Sequence, residues 1–208
     1  GETSTTQATT ATESPEEAEV LKIMILGSSR SVNTFQLLYE AFKDQMPDQE
    51  FVMGVMYYSG CSMTMHENFI KTNQPVYSFY HNDNGRWVIT PGKYMHEGLL
   101  AENWDVITLQ EGSSKMRRGD PEKELNTSKI YRDALYGRFR ELFPRAKLYW
   151  HHTWAYQVGY NRDSYIVTAE EQQSYHLRQT QYATTVCEQN GVSRIPSGDA
   201  WKLVRDGG

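Results

Sequence analysis

The chain of 208 residues has only two cysteines, Cys61 and Cys187. They are too few and too widely spaced for a disulfide framework or a thiolate metal site, so we expect two buried free thiols, with a single bridge left open. No run of about 18 apolar residues occurs, so no segment is predicted to span a membrane. The net charge is -5, so the chain lacks the excess of basic residues on which nucleic-acid affinity depends. Nucleic acid is therefore not an expected partner.

Motifs for nucleotides and metals are also missing. Neither G-x-G-x-x-G nor G-x-x-x-x-G-K-[ST] occurs after an apolar run. His66-Glu67 and His96-Glu97 start like a zinc-protease motif, but no second histidine follows at helical spacing. His151 and His152 are adjacent, so on a strand they point to opposite faces and cannot bind one ion together. We therefore expect neither a cofactor nor a metal.

The first 19 residues differ in composition from the rest. They are rich in Thr, Ser, Glu and Ala and have no large apolar side chain before Val20. Such a segment cannot offset the entropy lost on ordering, so residues 1–19 are predicted to be a disordered linker and residues 20–208 a single domain. The chain begins with Gly rather than Met, and we expect that a signal segment has been removed. This favours an exported protein, periplasmic or at the cell surface, with an upstream lipid anchor as one form.

Five short apolar runs alternate with helical patterns. The runs lie at residues 22–26, 51–56, 104–109, 146–150 and 192–195. Strands separated by helices predict a mostly parallel sheet with helices on both faces, because each crossover needs a helix to return the chain. The fold class is therefore α/β, a three-layer α/β/α sandwich with a five-stranded sheet. Asn82-Asp83-Asn84-Gly85 predicts an inserted β-hairpin within residues 76–90, and Asn33 is the predicted cap of the first helix.

Polar residues follow three of the predicted strands, at Gly27-Ser28-Ser29, Ser59-Gly60-Cys61 and Leu109-Gln110-Glu111. In a parallel sheet these junctions open at one edge, where α/β proteins bind ligands. Ser29 stands beside a helix N-terminus, which favours an oxyanion, and the Gly60 N–H and the Gln110 amide are the expected further donors. A plain turn at Gly-Ser-Ser and a helix cap at Gln110 are the alternatives.

This order of residues resembles the SGNH, or GDSL-type, hydrolases. The likeness covers residues 20–205 and is nearest to an uncharacterised bacterial branch of SGNH-like proteins. It rests on Ile25-Leu26-Gly27, Gly60-Cys61-Ser62, the segment from Trp104 to Gln110, Thr153-Trp154-Ala155-Tyr156 and the segment from Ile195 to Ala200. The resemblance implies a flavodoxin-like SGNH fold, Ser29 as nucleophile, and Gly60 and Gln110 as oxyanion donors, with Gln110 in place of the usual Asn.

The chain departs from the family pattern at several positions. Ser28 stands where the branch usually has Asn, and Arg30 stands where an aromatic residue is common. The Asp-x-x-His that supplies the family's general base does not occur. Asp206 is close to the end of the chain, so we expect the domain to be truncated before or within that motif. His151, His152 and His176 are the candidate substitutes for the base, and Ser28 and Glu111 are further candidate site residues.

The expected function is that of a serine esterase which forms an acyl-enzyme at Ser29, with a small-molecule or acetylated carbohydrate ester as substrate. Trp154 and Tyr156, with Trp150 and Tyr160, are placed to stack on sugar rings, although aromatic residues at this density equally serve packing. The rival expectation is a non-catalytic SGNH-like domain that binds glycans. Nothing in the sequence indicates an oligomeric state.

Overall fold

The structure, a computed structural model, describes residues 20–112, 120–162 and 165–207. The predicted linker, residues 1–19, lies outside the described residues. The helices are α1 (Ser29–Gln45), α2 (Met63–Lys71), α3 (Met95–Leu99), α4 (Pro121–Leu142), α5 (Ala169–Asn190) and α6 (Ser197–Gly207). None of these helices combines the length and the apolar character needed to cross a membrane.

The main sheet has seven strands, in the order β4-β3-β2-β1-β5-β6-β9. They are β1 (Leu21–Gly27), β2 (Phe51–Tyr57), β3 (Tyr77–Asp83), β4 (Arg86–Lys93), β5 (Val106–Leu109), β6 (Lys147–His151) and β9 (Ser193–Ile195). The short strands β7 (Asn161–Arg162) and β8 (Tyr165–Ile166) form a separate pair. Strands β2, β1, β5, β6 and β9 are parallel, which confirms the five-stranded parallel core of the prediction.

The predicted hairpin is present, but it extends the sheet. Strand β3 pairs antiparallel with β2, and β4 pairs antiparallel with β3, so the sheet has seven strands instead of five. The physical reason is that β2 would otherwise leave a row of unpaired N–H and C=O groups at the edge of the sheet. The two turn residues, Asn84 and Gly85, have φ values of 43° and 98°, as a type I′ turn between twisted strands requires.

Strand β1 packs against helices on both faces of the sheet. Met24 and Leu26 are fully buried in a core that includes side chains of α4 and α5. Ile23 and Ile25 point to the other face, where they join Phe35 and further side chains of α1. This alternation produces the continuous apolar run in the sequence and confirms the three-layer arrangement.

Helix α1 begins earlier than the sequence predicts. Its first residue is Ser29 and its cap is Ser28, whereas the predicted cap, Asn33, is an exposed residue inside the helix. Ser28 has extended backbone angles, with φ -119° and ψ -165°, and its carbonyl accepts the N–H of Ser31 at 3.0 Å. The chain can therefore pass from strand to helix in one residue, which places Ser29 in the first helical turn.

Both cysteines are free thiols, as the sequence predicts. Cys61 is buried, but Cys187 is only half-buried on α5. Burial raises the pKa of the Cys61 thiol, and the nearby Glu111 carboxylate raises it further. Cys61 is therefore a packed, protonated thiol.

Candidate active site

Three serines at the junction of β1 and α1 have different environments. Ser28 is 2% exposed, and its hydroxyl accepts a hydrogen bond from Nε2 of Gln110 at 2.8 Å. Ser31 is also buried and donates to Oε1 of Gln110 at 2.9 Å. Ser29, between them, is exposed at the start of α1. Of the three hydroxyls, only that of Ser29 is presented to solvent.

The loops after β1, β2 and β5 come together, as the sequence predicts. Gly60, in the loop after β2, has φ +63°, a conformation that L side chains rarely adopt, and it is exposed. A Cβ on Gly112 would lie 2.9 Å from the carbonyl oxygens of Gly60 and Cys61, so the missing side chain lets the two loops touch. Gln110 joins this region to Ser28. Gly60 and Gln110 thus lie in two adjoining loops, and Ser29 follows the third junction as the first residue of α1.

The Gln110 side chain is a buried connector, only 1% exposed. Besides its bonds to Ser28 and Ser31, its Oε1 lies 3.1 Å from Nδ1 of His151. An amide nitrogen carries two hydrogens, so one N–H remains after the bond to Ser28. Its predicted role as an oxyanion donor stays a prediction, and the geometry adds a structural role that fixes two serines and a histidine.

His151, at the end of β6, connects Gln110 to α6. Because Oε1 of Gln110 accepts, Nδ1 of His151 carries the proton, and its Nε2 then accepts from the hydroxyl of Ser197 at 3.0 Å. Burial lowers the pKa of His151 to about 4, with smaller contributions from His152 and Arg30. The ring is neutral at pH 7, as a general base must be, but its free nitrogen faces Ser197.

His152 points away from His151, as expected for adjacent residues at a strand end. It is 1% exposed and lies beside Asp199 and His176, with Nδ1 3.8 Å from Oδ2 of Asp199. Burial lowers the pKa of His152 to about 4, although Asp199 opposes the shift. His176 belongs to this second group, its Nε2 being 3.5 Å from Oδ1 of Asp199. Both histidines were candidate bases, and both face Asp199.

Glu111 is a structural carboxylate. Its Oε1 accepts the N–H groups of Met63 and Gly112 at 3.1 and 2.8 Å, and its Oε2 accepts the Tyr182 hydroxyl at 3.1 Å. Burial raises its pKa, while these hydrogen bonds and Arg132 lower it. Its oxygens are therefore directed at the start of α2 and at α5.

Two of the aromatic residues predicted to bind sugar, Trp154 and Tyr156, pack against Arg30. The guanidinium carbon lies 4.7 Å from the ring centre of Tyr156 and 5.4 Å from that of Trp154. Its Nη2 donates to the Tyr175 hydroxyl at 3.3 Å, and the side chain is only 5% exposed. Tyr156 also stacks on Tyr160, with ring centres 4.4 Å apart. The rings of Trp154, Tyr156 and Tyr160 are half-buried, and cation–π contacts with Arg30 explain the placement of the first two.

Two other predicted residues make contacts that contribute to packing and helix structure. Trp150 is 2% exposed and packs 5.7 Å from the ring of Tyr182, so it belongs to the core. Asp206 is exposed in the last turn of α6 and pairs with Lys202 one helical turn earlier. Neither contacts Ser29.

A mainly apolar groove of about 420 Å³ lies on the α1 face of the sheet, next to the hydrogen-bonded side chains of Ser31, His151 and Ser197. Ser31, His151 and Ser197 provide polar groups in its wall, and Trp154 and Trp201 are among its aromatic residues. Its remaining lining is formed by Leu21, Ile23, Ile25, Thr34, Leu38, Phe42, Met46, Val106, Thr108, Tyr149 and Ile195. The groove is large enough for a small organic ligand.

Sequence reasoning missed Ser31 and Ser197. Ser31 lies two residues beyond the predicted motif, and its bond to Gln110 depends on a contact between residues 79 positions apart. Ser197 follows Pro196 directly and begins α6, a pattern typical of a helix start. That signal predicts the helix, but it does not predict that His151 meets the hydroxyl.

Solved structures share this three-layer architecture. A DUF4886 family protein from Bacteroides uniformis ATCC 8492 superposes with a TM-score of 0.77 at 22% identity, over 90% of this chain and 71% of that one. A candidate SGNH hydrolase from Slackia heliotrinireducens gives 0.52 at 17% identity, over 85% and 78%. An acetylxylan esterase from Geobacillus stearothermophilus gives 0.52 at 9% identity, over 92% and 83%. The fold is therefore that of the SGNH hydrolases, as the sequence resemblance implies.

The sequence also matches a known family model. Residues 22–206 match the family described as "Domain of unknown function (DUF4886)". Because the match spans most of the chain, the protein belongs to the DUF4886 family, a branch with the SGNH-type fold. A comparison with curated proteins found no match.

Proposed function

We propose that the protein is a serine ester hydrolase of the SGNH type, with Ser29 as its nucleophile. The observation that carries the proposal is the contrast among three neighbouring hydroxyls. Ser28 and Ser31 are buried and bonded to Gln110, whereas Ser29 is exposed in the first turn of α1. An acyl-transfer nucleophile must be reachable by the substrate, and Ser29 is the exposed serine at this junction.

The surroundings of Ser29 suit acyl transfer. In the first step its Oγ bonds to the ester carbonyl carbon, its proton leaves to a base, and the C–O bond to the alcohol breaks after that alcohol is protonated. Water then cleaves the acyl-enzyme. The N-terminus of α1 and the N–H groups of Gly60 and Gln110 are the proposed donors to the oxyanion. Among the described residues no histidine or carboxylate hydrogen-bonds to Ser29, so the general base is left unassigned.

The substrate class we propose is an acetylated carbohydrate in an exported setting. Support comes from the shared fold with an acetylxylan esterase and from the half-buried rings of Trp154 and Tyr156 beside Arg30. An acetyl group is small, and the carbohydrate part would then use the aromatic surface.

Ser197 is the alternative nucleophile. Its hydroxyl lies 3.0 Å from Nε2 of His151, whose Nδ1 is 3.1 Å from Oε1 of Gln110. A hydroxyl, an imidazole and an orienting acceptor in this order form the hydrogen-bonded series of a catalytic triad. We favour Ser29 because it is exposed at the N-terminus of α1, at the position that the family resemblance gives to the nucleophile, and the experiment separates the two.

The test is active-site labelling followed by peptide mapping. The protein is treated with a fluorophosphonate probe, and hydrolysis of nitrophenyl acetate and of acetylated xylo-oligosaccharides is measured for the parent, Ser29→Ala and the matched control Ser197→Ala. We expect the label on Ser29, loss of activity to the uncatalysed background in Ser29→Ala, and activity within a few-fold of the parent in Ser197→Ala.

Two outcomes would contradict this assignment. Label on Ser197, or activity that survives Ser29→Ala, would move the nucleophile to α6. No label and no hydrolysis, together with binding of xylo-oligosaccharide to the parent, would favour the non-catalytic glycan-binding domain. The missing hydrogen bond from Ser29 to any described base is the observation behind that alternative.

A further inference from the structure

A second polar cluster lies away from Ser29, where β6, α5 and α6 meet. His152 follows β6, His176 is in α5, and Asp199 is in the first turn of α6. One ligand atom from each lies within 4.8 Å of the other two. The proposed ester hydrolase uses none of these three side chains.

His152 is the unexplained member of the cluster. It is 1% exposed, yet neither of its ring nitrogens has a hydrogen-bond partner. A neutral imidazole always presents one N–H donor and one acceptor, and leaving both buried and unpaired is unfavourable. Its Nδ1 is the nitrogen nearer to Asp199, at 3.8 Å from Oδ2. A ligand that accepts the lone pair of this nitrogen would give a partner to one of the two unpaired ring nitrogens.

The approach of α6 creates the cluster. A Cβ on Gly198 would lie 2.5 Å from the Thr153 carbonyl oxygen and 2.7 Å from Nε2 of His152, so only glycine allows this contact. The N–H of Gly198 donates to the His152 carbonyl at 2.8 Å and fixes the start of α6. Asp199 is thereby held beside both histidines by backbone contacts.

We propose that His152, His176 and Asp199 form a binding site for a divalent transition-metal ion, with Zn²⁺ as the best match. Two imidazole nitrogens and one carboxylate oxygen are ordinary zinc ligands, and three protein ligands leave the fourth position to water. Bonds of about 2.1 Å in a tetrahedron keep ligand atoms about 3.4 Å apart. His176 lies 3.5 Å from Oδ1 of Asp199 and His152 lies 3.8 Å from Oδ2, and one ligand atom from each of the three residues lies within 4.8 Å of the others. Metal binding would therefore draw the three side chains together by up to about 1.4 Å.

Arg194 competes with a metal for this carboxylate. Its Nη2 lies 2.9 Å from Oδ2 of Asp199, and its side chain is 30% exposed at the sheet edge. Lys202 and Asp206, on the same helix as Asp199, pair with each other nearby. Removing the guanidinium should therefore strengthen metal binding, because Asp199 would keep its charge and lose its competitor. A purely structural Arg194–Asp199 ion pair predicts no gain in metal binding.

The experiment uses the full chain without a polyhistidine tag, freed of metal with a chelator and then dialysed. Co²⁺ is titrated first, because tetrahedral Co²⁺ absorbs visible light, and Zn²⁺ is added as competitor. We expect one bound Co²⁺ that Zn²⁺ displaces. His176→Ala and Asp199→Asn should each weaken binding about tenfold or more, Arg194→Met should tighten it, and the exposed control His96→Ala should leave it unchanged.

Each result bears on the site directly. Absence of a Co²⁺ spectrum and of Zn²⁺ binding overturns the proposal. Binding that survives His176→Ala and Asp199→Asn also overturns it, and Arg194→Met binding no tighter than the parent rejects Asp199 as a ligand. Circular dichroism of each variant shows whether it is folded, and Asp199→Asn keeps the shape of the side chain. Esterase activity is not read, so failure of the Ser29 assignment leaves this test unaffected.

Discussion

At the scale of single residues, one buried amide determines which serine is available. Gln110 holds Ser28 through Nε2 and Ser31 through Oε1, and the same Oε1 orients His151. Ser29 is left as the exposed hydroxyl in the first turn of α1. A residue that the sequence suggests as an oxyanion donor therefore also carries a large part of the local structure.

Replacing Gln110 with leucine should destabilise the protein. The change keeps the side chain buried but leaves the hydroxyls of Ser28 and Ser31 and the Nδ1–H of His151 without their partner. We expect a loss of about 2–4 kcal/mol in the free energy of unfolding, because each buried polar group left without a partner costs about 1–3 kcal/mol. The loss stays below the sum for three groups because the serine hydroxyls can rotate toward other acceptors. Urea unfolding measures the change.

The matched control for this variant is Gln181→Leu, at an exposed position in α5. We expect the control to change stability by no more than about 0.5 kcal/mol. A Gln110→Leu protein as stable as its parent would show that the amide serves the substrate alone.

The exposed position of Ser29 could be predicted from the sequence, whereas the contact between His151 and Ser197 could not, for a physical reason. An apolar run that ends in Gly-Ser-Ser is a local pattern, so the strand, the turn and the exposed hydroxyl are encoded within a few residues. The bond between His151 and Ser197 joins side chains 46 residues apart and depends on how α6 docks against β6. Local patterns contain no information about that distance.

At the scale of elements, a buried polar network joins α4 and α5 to the loop after β5. The Tyr182 hydroxyl of α5 donates to Oε2 of Glu111 at 3.1 Å and accepts from Nη1 of Arg132 at 2.9 Å. Arg132, on α4, is fully buried, and Ser128 lies 2.8 Å from the same hydroxyl. This single oxygen lies between a buried carboxylate and a buried guanidinium and forms a hydrogen bond with each.

Tyr182→Phe should loosen the packing of these helices. The ring remains, but Glu111 and Arg132 each lose a hydrogen bond in a buried site. We expect a loss of roughly 2–3 kcal/mol in the free energy of unfolding, since hydrogen bonds to charged groups contribute more than neutral ones. Tyr131→Phe, on the half-buried side of α4, is the control and should be nearly neutral. Equal stability of the two variants in urea would contradict the bridging role.

The elements themselves were largely predictable. The alternation of apolar runs and helical stripes yields the five parallel strands, and Asn84-Gly85 marks the hairpin turn. The predicted start of α1 was wrong, and the hairpin joins the main sheet where the sequence predicts only an insertion, both for non-local reasons. Ser28 caps α1 as the chain leaves β1, and β3 adds to the sheet because β2 has an open edge.

At the scale of the whole molecule, buried histidines link stability to pH. Burial lowers the pKa of His66, His151 and His152 to about 4, and they lie in α2, at the end of β6 and beyond it. An unfolded histidine has a pKa of about 6.5. As the pH falls below that value, these histidines become protonated in the unfolded chain but remain neutral in the folded chain. Stability is therefore fully present above about pH 6.5 and is lost progressively down to about pH 4.

His66 allows the cleanest measurement of this effect, because it is fully buried on α2 and burial is the only cause of its shift. Its Nδ1 lies 2.9 Å from the Tyr77 hydroxyl, a contact that glutamine can replace. Between pH 7 and pH 5 each such histidine should cost roughly 2 kcal/mol. We therefore expect the fall in unfolding free energy over this range, from urea titrations at both pH values, to be about 2 kcal/mol smaller in His66→Gln than in the parent.

Comparing the parent with His66→Gln between pH 7 and pH 5 cancels the contributions of other titrating groups to the change in unfolding free energy. The raised pKa of Glu111 works in the opposite direction, because the folded state then binds the proton more tightly and gains stability as the pH falls, and it is common to both proteins. His96→Gln, at an exposed position, should keep the full pH dependence of the parent. If His66→Gln and His96→Gln lose the same free energy between pH 7 and pH 5, then the His66 ring is not held neutral by burial, and acid sensitivity must originate elsewhere in the fold.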